Sequence, residues 1–184
     1  MRENVRMQVN TMKEINEMTM KGEIVVFGST YMAGFPLYEL VNQCRFENAV
    51  YNRSIEELTV KEALEIVQEC VIEIRPSKIF LALGEEDEND PYVIDEYTTL
   101  VSKLRSQLPQ CRLYLVGLTG TGSYVSGFNK SMRALCDDHM VTYIDFVSKK
   151  VSDAALYKAR FKQLSCFFRD QSLTMSDAFA MAEL

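Results

Sequence analysis

From residue 23 onward the chain alternates two patterns: short runs of branched apolar residues, and longer stretches with an apolar residue every three or four positions. Five segments show the first pattern: Glu23-Ile-Val-Val-Phe27, the weaker Phe46–Tyr51, Lys78-Ile-Phe-Leu-Ala-Leu83, Arg112–Gly117 and Val141–Asp145. A continuous apolar run of this length reads as a strand buried on both faces. Thr59–Ile74 shows the second pattern, with Val60, Ala63, Leu64, Val67, Val71 and Ile74 on one helical stripe. Thr59 followed three residues later by Glu62 predicts a capping box, and Arg75-Pro76-Ser77 ends the helix. Further helices are predicted over Val93–Leu108, stopped by Pro109, and over Val125–Asp138. Phe146–Leu184 reads as mostly helical, with a loop near Arg169–Ser172. Strands separated by single helices require right-handed crossovers and therefore a parallel sheet covered on both faces. The expected fold is an α/β three-layer sandwich with a five-stranded, mainly parallel, flavodoxin-like sheet.

Residues 1–21 break this pattern. They are rich in Met, Asn and Glu, and Val5, Val9, Met12 and Ile15 fall near helical spacing. They read as a helical extension ahead of a domain over 22–184. It is either packed on that domain or an arm that meets a partner subunit in a homo-oligomer.

Composition narrows the function. The length of 184 residues suits one domain, and 47% apolar content with ten Phe and nine Tyr supplies a core. A net charge of −6 argues against nucleic acid or an anionic membrane as partner, since phosphate contacts need clustered Lys and Arg. No apolar run approaches the roughly 18 residues of a membrane span, and the polar first twenty residues are no secretory signal. Cys44, Cys70, Cys111, Cys136 and Cys166 are odd in number and lack a C-x-x-C spacing. This favours reduced thiols and a cytoplasmic location over a disulfide frame or a zinc site. No metal and no cofactor is expected.

In a sheet of this kind ligands bind beyond the carboxyl ends of the strands. The segments there are Gly28-Ser29-Thr30, Asn52-Arg53-Ser54, Gly84-Glu85-Glu86-Asp87 and Leu118-Thr119-Gly120-Thr121-Gly122. Ser29 reads either as a binding residue or as the N-cap of the helix that follows. Arg53 reads as a partner of the acidic loop or of a ligand carboxylate. Glu85, Glu86, Asp87, Glu88 and Asp90 suggest a divalent-cation site or a solvated loop, and the lack of EF-hand spacing favours the loop. Gly120-Thr121-Gly122 reads as a flexible rim, with anion binding as the alternative. Met32, Phe35, Tyr38 and Leu40 read as core or pocket wall. His139, the single histidine, precedes the last strand and so falls at the opposite end of the sheet.

Taken in order, these segments resemble the SGNH (GDSL-type) hydrolases. That family carries a Gly-Asp-Ser block with the nucleophilic serine, an Asn-Arg-Gly block, a Gly-x-Asn-Asp block whose Asn donates to the oxyanion, and a C-terminal Asp-x-x-His. Here the blocks read Gly28-Ser29-Thr30, Asn52-Arg53-Ser54, Gly84-Glu85-Glu86-Asp87 and Asp170-Gln171-Ser172-Leu173, so the likeness spans Glu23 to Leu184. The resemblance implies an ester hydrolase of lipase or acylhydrolase type, acting on a small ester substrate. Ser29 would be the nucleophile, Asp170 the remaining triad acid, and the amides of Ser29 and Ser54 the oxyanion donors, with Asn52, Gly84 and Glu86 completing the site. Serine needs a base to take its proton, and Leu173 occupies the base's position. Glu86 replaces the Asn donor, and loss of one such donor typically lowers the rate by about 10²–10³. The implied reading is therefore a degenerate hydrolase, weakly active or inactive. The alternatives are a non-catalytic cleft for a small acyl or carbohydrate ligand, and a scaffold that recruits a partner through the Met-rich arm.

Overall fold

In the computed structural model, strands β1 (Ile24–Gly28), β2 (Val50–Asn52), β3 (Lys78–Ala82), β4 (Arg112–Val116) and β5 (Val141–Ile144) form one sheet. Its order is β2-β1-β3-β4-β5, and every pairing is parallel. The structure describes residues 1–44, 46, 48–136, 140–146 and 152–168. The helices are α1 (Glu3–Asn16), α2 (Thr30–Ala33), α3 (Leu37–Asn42), α4 (Val60–Cys70), α5 (Val93–Gln107), α6 (Ser123–Ala134) and α7 (Asp153–Phe168).

Period-two alternation divides the strand residues between two cores. Val25, Phe27, Ile79, Leu81, Leu113 and Leu115 join the layer that includes α1, α4, α5 and α6. Ile24, Val26, Phe80, Tyr114 and Val116 join the layer with α2, α3 and α7. In the second layer Phe80 stacks on Tyr114 with ring centroids 4.5 Å apart, and Phe168 meets Phe80 edge-on at 5.0 Å. Lys78 is buried at the start of β3 and donates to the carbonyls of Phe167 and Phe168 at 2.8 and 2.9 Å. These are among the last carbonyls of α7, which have no partner within the helix.

Boundaries differ from the pattern where local geometry intervenes. β2 is confined to three residues beginning at Val50, not the whole of Phe46–Tyr51. The predicted Thr59–Ile74 helix is α4 followed by a 3-10 turn over Ile72–Ile74, because Val71 leaves helical geometry at φ −128°. Arg75, at φ +47°, closes that turn. Thr59 caps α4, its hydroxyl accepting from the Glu62 amide at 3.2 Å. The Glu62 carboxylate turns to Arg2 instead, at 2.7 Å. Residues 1–21 hold α1 against α4, with Val5 and Val9 buried. Met7, Met18 and Met20 are exposed.

The five cysteines are thiols, with no disulfide among them. Burial pushes the Cys70 and Cys111 thiols up to about 12, which makes them inert apolar filler. Cys44, Cys136 and Cys166 are only half-buried. Among the described residues no helix is long and apolar enough to cross a membrane.

Candidate functional site

The cleft lies at the carboxyl ends of β1, β2 and β3, where the chain has to turn tightly. Gly28 ends β1 against Ala82 at the end of β3, and a Cβ there would meet the Ala82 carbonyl at 2.8 Å and the Met32 Cβ at 2.9 Å. Gly84 turns the chain after β3 at φ +107°, with the Phe128 ring packed where a side chain would otherwise project. Its carbonyl accepts the Tyr124 hydroxyl at 2.5 Å. Gly84 is thus a structural turn supporting the acidic loop.

Ser29 does not have the exposure a nucleophile needs: it is fully buried and its Oγ has no hydrogen-bond partner. The pleat that points Val25 and Phe27 inward runs on one more step to Ser29, whose amide still pairs with the Ala82 carbonyl at 3.1 Å. Ser29 does stand at the N-cap position of α2, though its side chain makes no capping bond. The hydroxyl at the mouth of the cleft belongs to Thr30, which is partly exposed. Thr30 Oγ1 donates to Glu86 Oε1 at 2.6 Å and accepts from the Glu57 amide at 2.8 Å.

Both expected oxyanion donors are already used. The Ser29 amide is held by Ala82, and the Ser54 amide donates to Asn52 Oδ1 at 3.1 Å. Asn52 in turn donates from Nδ2 to the Met32 carbonyl at 2.9 Å, and its amide reaches the Tyr38 hydroxyl at 3.1 Å. Asn52 therefore ties the end of β2 to α2 and α3. Tyr38, read as core or pocket wall, is in fact largely exposed and serves that tie, while Met32, Phe35 and Leu40 are buried. Arg53 is buried and grips neither the acidic loop nor the cleft. Its guanidinium donates to Thr19 Oγ1 at 3.0 Å and to the Met12 carbonyl at 3.4 Å.

The acidic loop is neither a cation cage nor simply solvated. Three of its carboxylates diverge, each to a separate donor. Glu85 accepts the Tyr31 amide at 2.7 Å in the first turn of α2, Glu86 takes the Thr30 hydroxyl, and Asp87 accepts the Val60 amide through both oxygens at 3.0 and 3.2 Å. Carboxylates at helix N-termini satisfy orphan amides and face the positive end of the dipole. Among the described residues no three acidic, His or Cys side chains group as a metal would require.

Burial pushes the Glu85 carboxyl above its usual range and the Asp87 carboxyl from 3.8 up to about 6, against the Val60 hydrogen bonds. A raised acid binds its proton more tightly in the folded chain than in the unfolded one. Asp87 should therefore add stability as pH falls through 6 and level off below 3.8. The gain should be on the order of 1–2 kcal/mol after solvent screening. Thermal melts over that interval should show the rise in the native chain and its loss in Asp87→Asn, which keeps an acceptor for Val60.

Two spaces open on either side of the Glu85–Glu86 pair. A groove of about 540 Å³ is lined by Thr59, Lys61, Glu86, Asp87, Asn89, Asp90, Tyr92 and Glu96. A much smaller recess lies between Tyr31, Glu85, Val116, Thr119 and Phe146. A larger hollow of about 750 Å³, among Lys21, Arg75, Ser77 and Gln107, lies at the amino ends of the strands, away from the four loop segments. The groove is the better ligand site because it adjoins the strand ends where such sheets bind ligands. Gly120 and Gly122 lead into α6 and line neither space, which leaves them a loop role.

Asp170, Leu173 and His139 lie outside the described residues. Sequence reasoning passed over Thr30, Glu57 and the helix-capping roles of Glu85 and Asp87. One signal was available for Thr30: read without a gap, Gly28-Ser29-Thr30 matches Gly-Asp-Ser position for position and puts Thr30 in the nucleophile's place.

No protein-family model matches the chain, and no curated protein matches it in sequence. Solved structures do. A candidate platelet activating factor from Streptococcus pneumoniae superposes with a TM-score of 0.78 at 16% identity, over 90% of this chain and 93% of the other. A candidate acylhydrolase from Bacteroides fragilis gives 0.72 at 12% identity, over 86% and 94%. A GDSL-like lipase from Bacteroides thetaiotaomicron gives 0.67 at 12% identity, over 85% and 96%. With its all-parallel sheet in the order β2-β1-β3-β4-β5 and this agreement along nearly the whole length of acylhydrolases and GDSL-like lipases, the chain has the SGNH-hydrolase fold.

Proposed function

We propose that the cleft of this SGNH-fold protein binds a small hydroxyl-rich ligand of carbohydrate type and hydrolyses esters weakly or not at all. The Thr30–Glu86 hydrogen bond carries this reading. The block resemblance aligns Glu86 with the Asn that donates to the oxyanion in the hydrolases, and an ionised carboxylate only accepts. An ester carbonyl moving toward a tetrahedral oxyanion needs donors at that place. A sugar hydroxyl brings its own donor and suits Glu86, Thr30 and the acidic groove beside them. The same chemistry favours a polyol over an acyl chain, whose carbonyl offers only acceptors.

A thermal-shift panel of mono- and oligosaccharides, set against short-chain fatty acids, tests the proposal. A matching sugar should stabilise with the logarithm of its concentration, by about 2.7 kcal/mol at a hundredfold excess over Kd. Glu86→Gln should weaken its binding by roughly 10-fold or more, the value of a hydrogen bond to a charged group. Stabilisation by the fatty acids and by none of the sugars would sink the proposal.

A further inference from the structure

We propose that residues 1–19 form an intramolecular strap that holds the Glu57 turn, and through it Thr30, in position at the cleft. The strap is fastened at both ends of one short segment. Arg53, at the start of that segment, reaches back to Thr19 and the Met12 carbonyl. Arg2 closes the other end: its guanidinium meets the Glu57 carboxylate at 3.1 Å, the Glu57 carbonyl, and the Glu62 carboxylate at 2.7 Å. Its backbone amide adds a bond to Glu62 at 3.2 Å.

Between these anchors Glu57 stands at φ +57°, a left-handed conformation that residues with a Cβ rarely adopt. Nothing in a glutamate favours that geometry, so the surroundings must impose it. Arg2 takes the carbonyl and the carboxylate on one side, while the amide points the other way, to Thr30 Oγ1 at 2.8 Å. The path from the strap to the cleft is therefore Arg2, Glu57, Thr30, Glu86. Arg2 is a positioning residue: it touches no cleft group and acts through Glu57. Glu62 feels the same contact, its hydrogen bond to Arg2 lowering its pKa from 4.5 to about 2. Only the consequence for ligand binding rests on the proposed function; the conformational claim rests on the Glu57 backbone and the contacts that hold it.

Amide hydrogen exchange on the full chain tests it without a ligand. Arg2→Ala should speed exchange at the Glu57 amide by 10-fold or more and leave β3 and β4 unchanged. Glu57→Gly should restore protection in the Arg2→Ala background, because glycine enters the left-handed region without help. A Glu57 amide equally protected in Arg2→Ala and the native chain would overturn the strap. So would a double variant that exchanges as fast as Arg2→Ala alone, since Arg2 would then act by general stability and not through the Glu57 turn. Should Arg2→Ala loosen the whole fold, Arg2→Met, which keeps the apolar stem over α4, provides the same comparison.

Discussion

Gly84→Ala should lower the melting temperature by roughly 10–15 °C. Two costs combine. At φ +107° the backbone lies in a region that L side chains rarely adopt, and such strain is worth about 1–3 kcal/mol. A Cβ would also stand 2.3 Å from the Phe128 ring. Phe128 has nowhere to go: it is buried, meets Tyr97 edge-on at 5.7 Å and lies against Tyr124 at the same distance. Overpacking of this kind typically costs a further 1–3 kcal/mol. A total of about 4 kcal/mol is a large share of the 5–15 kcal/mol that holds a typical domain together. Gly127→Ala, one residue from Phe128 on α6, is the control. Nothing lies within 4 Å of its Cβ, so that variant should match or exceed native stability. Equal melting temperatures for the two alanine variants would show that the turn after β3 does not depend on glycine.

The same turn shows where sequence was a good guide and where it was not. The runs at Ile24, Lys78, Arg112 and Val141 read as strands because buried parallel strands are apolar on both faces. β2 was overextended because it is an edge strand of three residues, paired to β1 alone. The order of the four loop segments led correctly to the fold. The roles within them were less legible, because they depend on direction. Ser29 and Thr30 are adjacent hydroxyl residues, and only the point at which the pleat ends decides which one faces the cleft. The amides of Ser29 and Ser54 are spent on Ala82 and Asn52, a fact that residue identity does not carry. Arg53 finds its partners 34 and 41 positions away, in a segment set apart by its composition. Glu57 carries no mark of its left-handed geometry, because a residue type that favours the turn is absent and Arg2 supplies the constraint instead.

Ester turnover is the second large effect, and it bears on the proposal that this chain hydrolyses esters weakly or not at all. An oxyanion hole missing one donor typically loses about 10²–10³ in rate. The resemblance puts Glu86 at one donor position, and the two expected amides are bonded elsewhere. Ser29 is enclosed, and Thr30, the accessible hydroxyl, is engaged on both sides, donating to Glu86 and accepting from the Glu57 amide. The resemblance also implies Leu173 where the family carries its base, and such losses do not sum when the groups act as a unit. The most direct measurement is therefore p-nitrophenyl acetate hydrolysis by the native chain beside Ser29→Ala and Thr30→Ala. The account predicts three indistinguishable rates at the level of the uncatalysed background. Native turnover well above that background, abolished by either substitution, would contradict it.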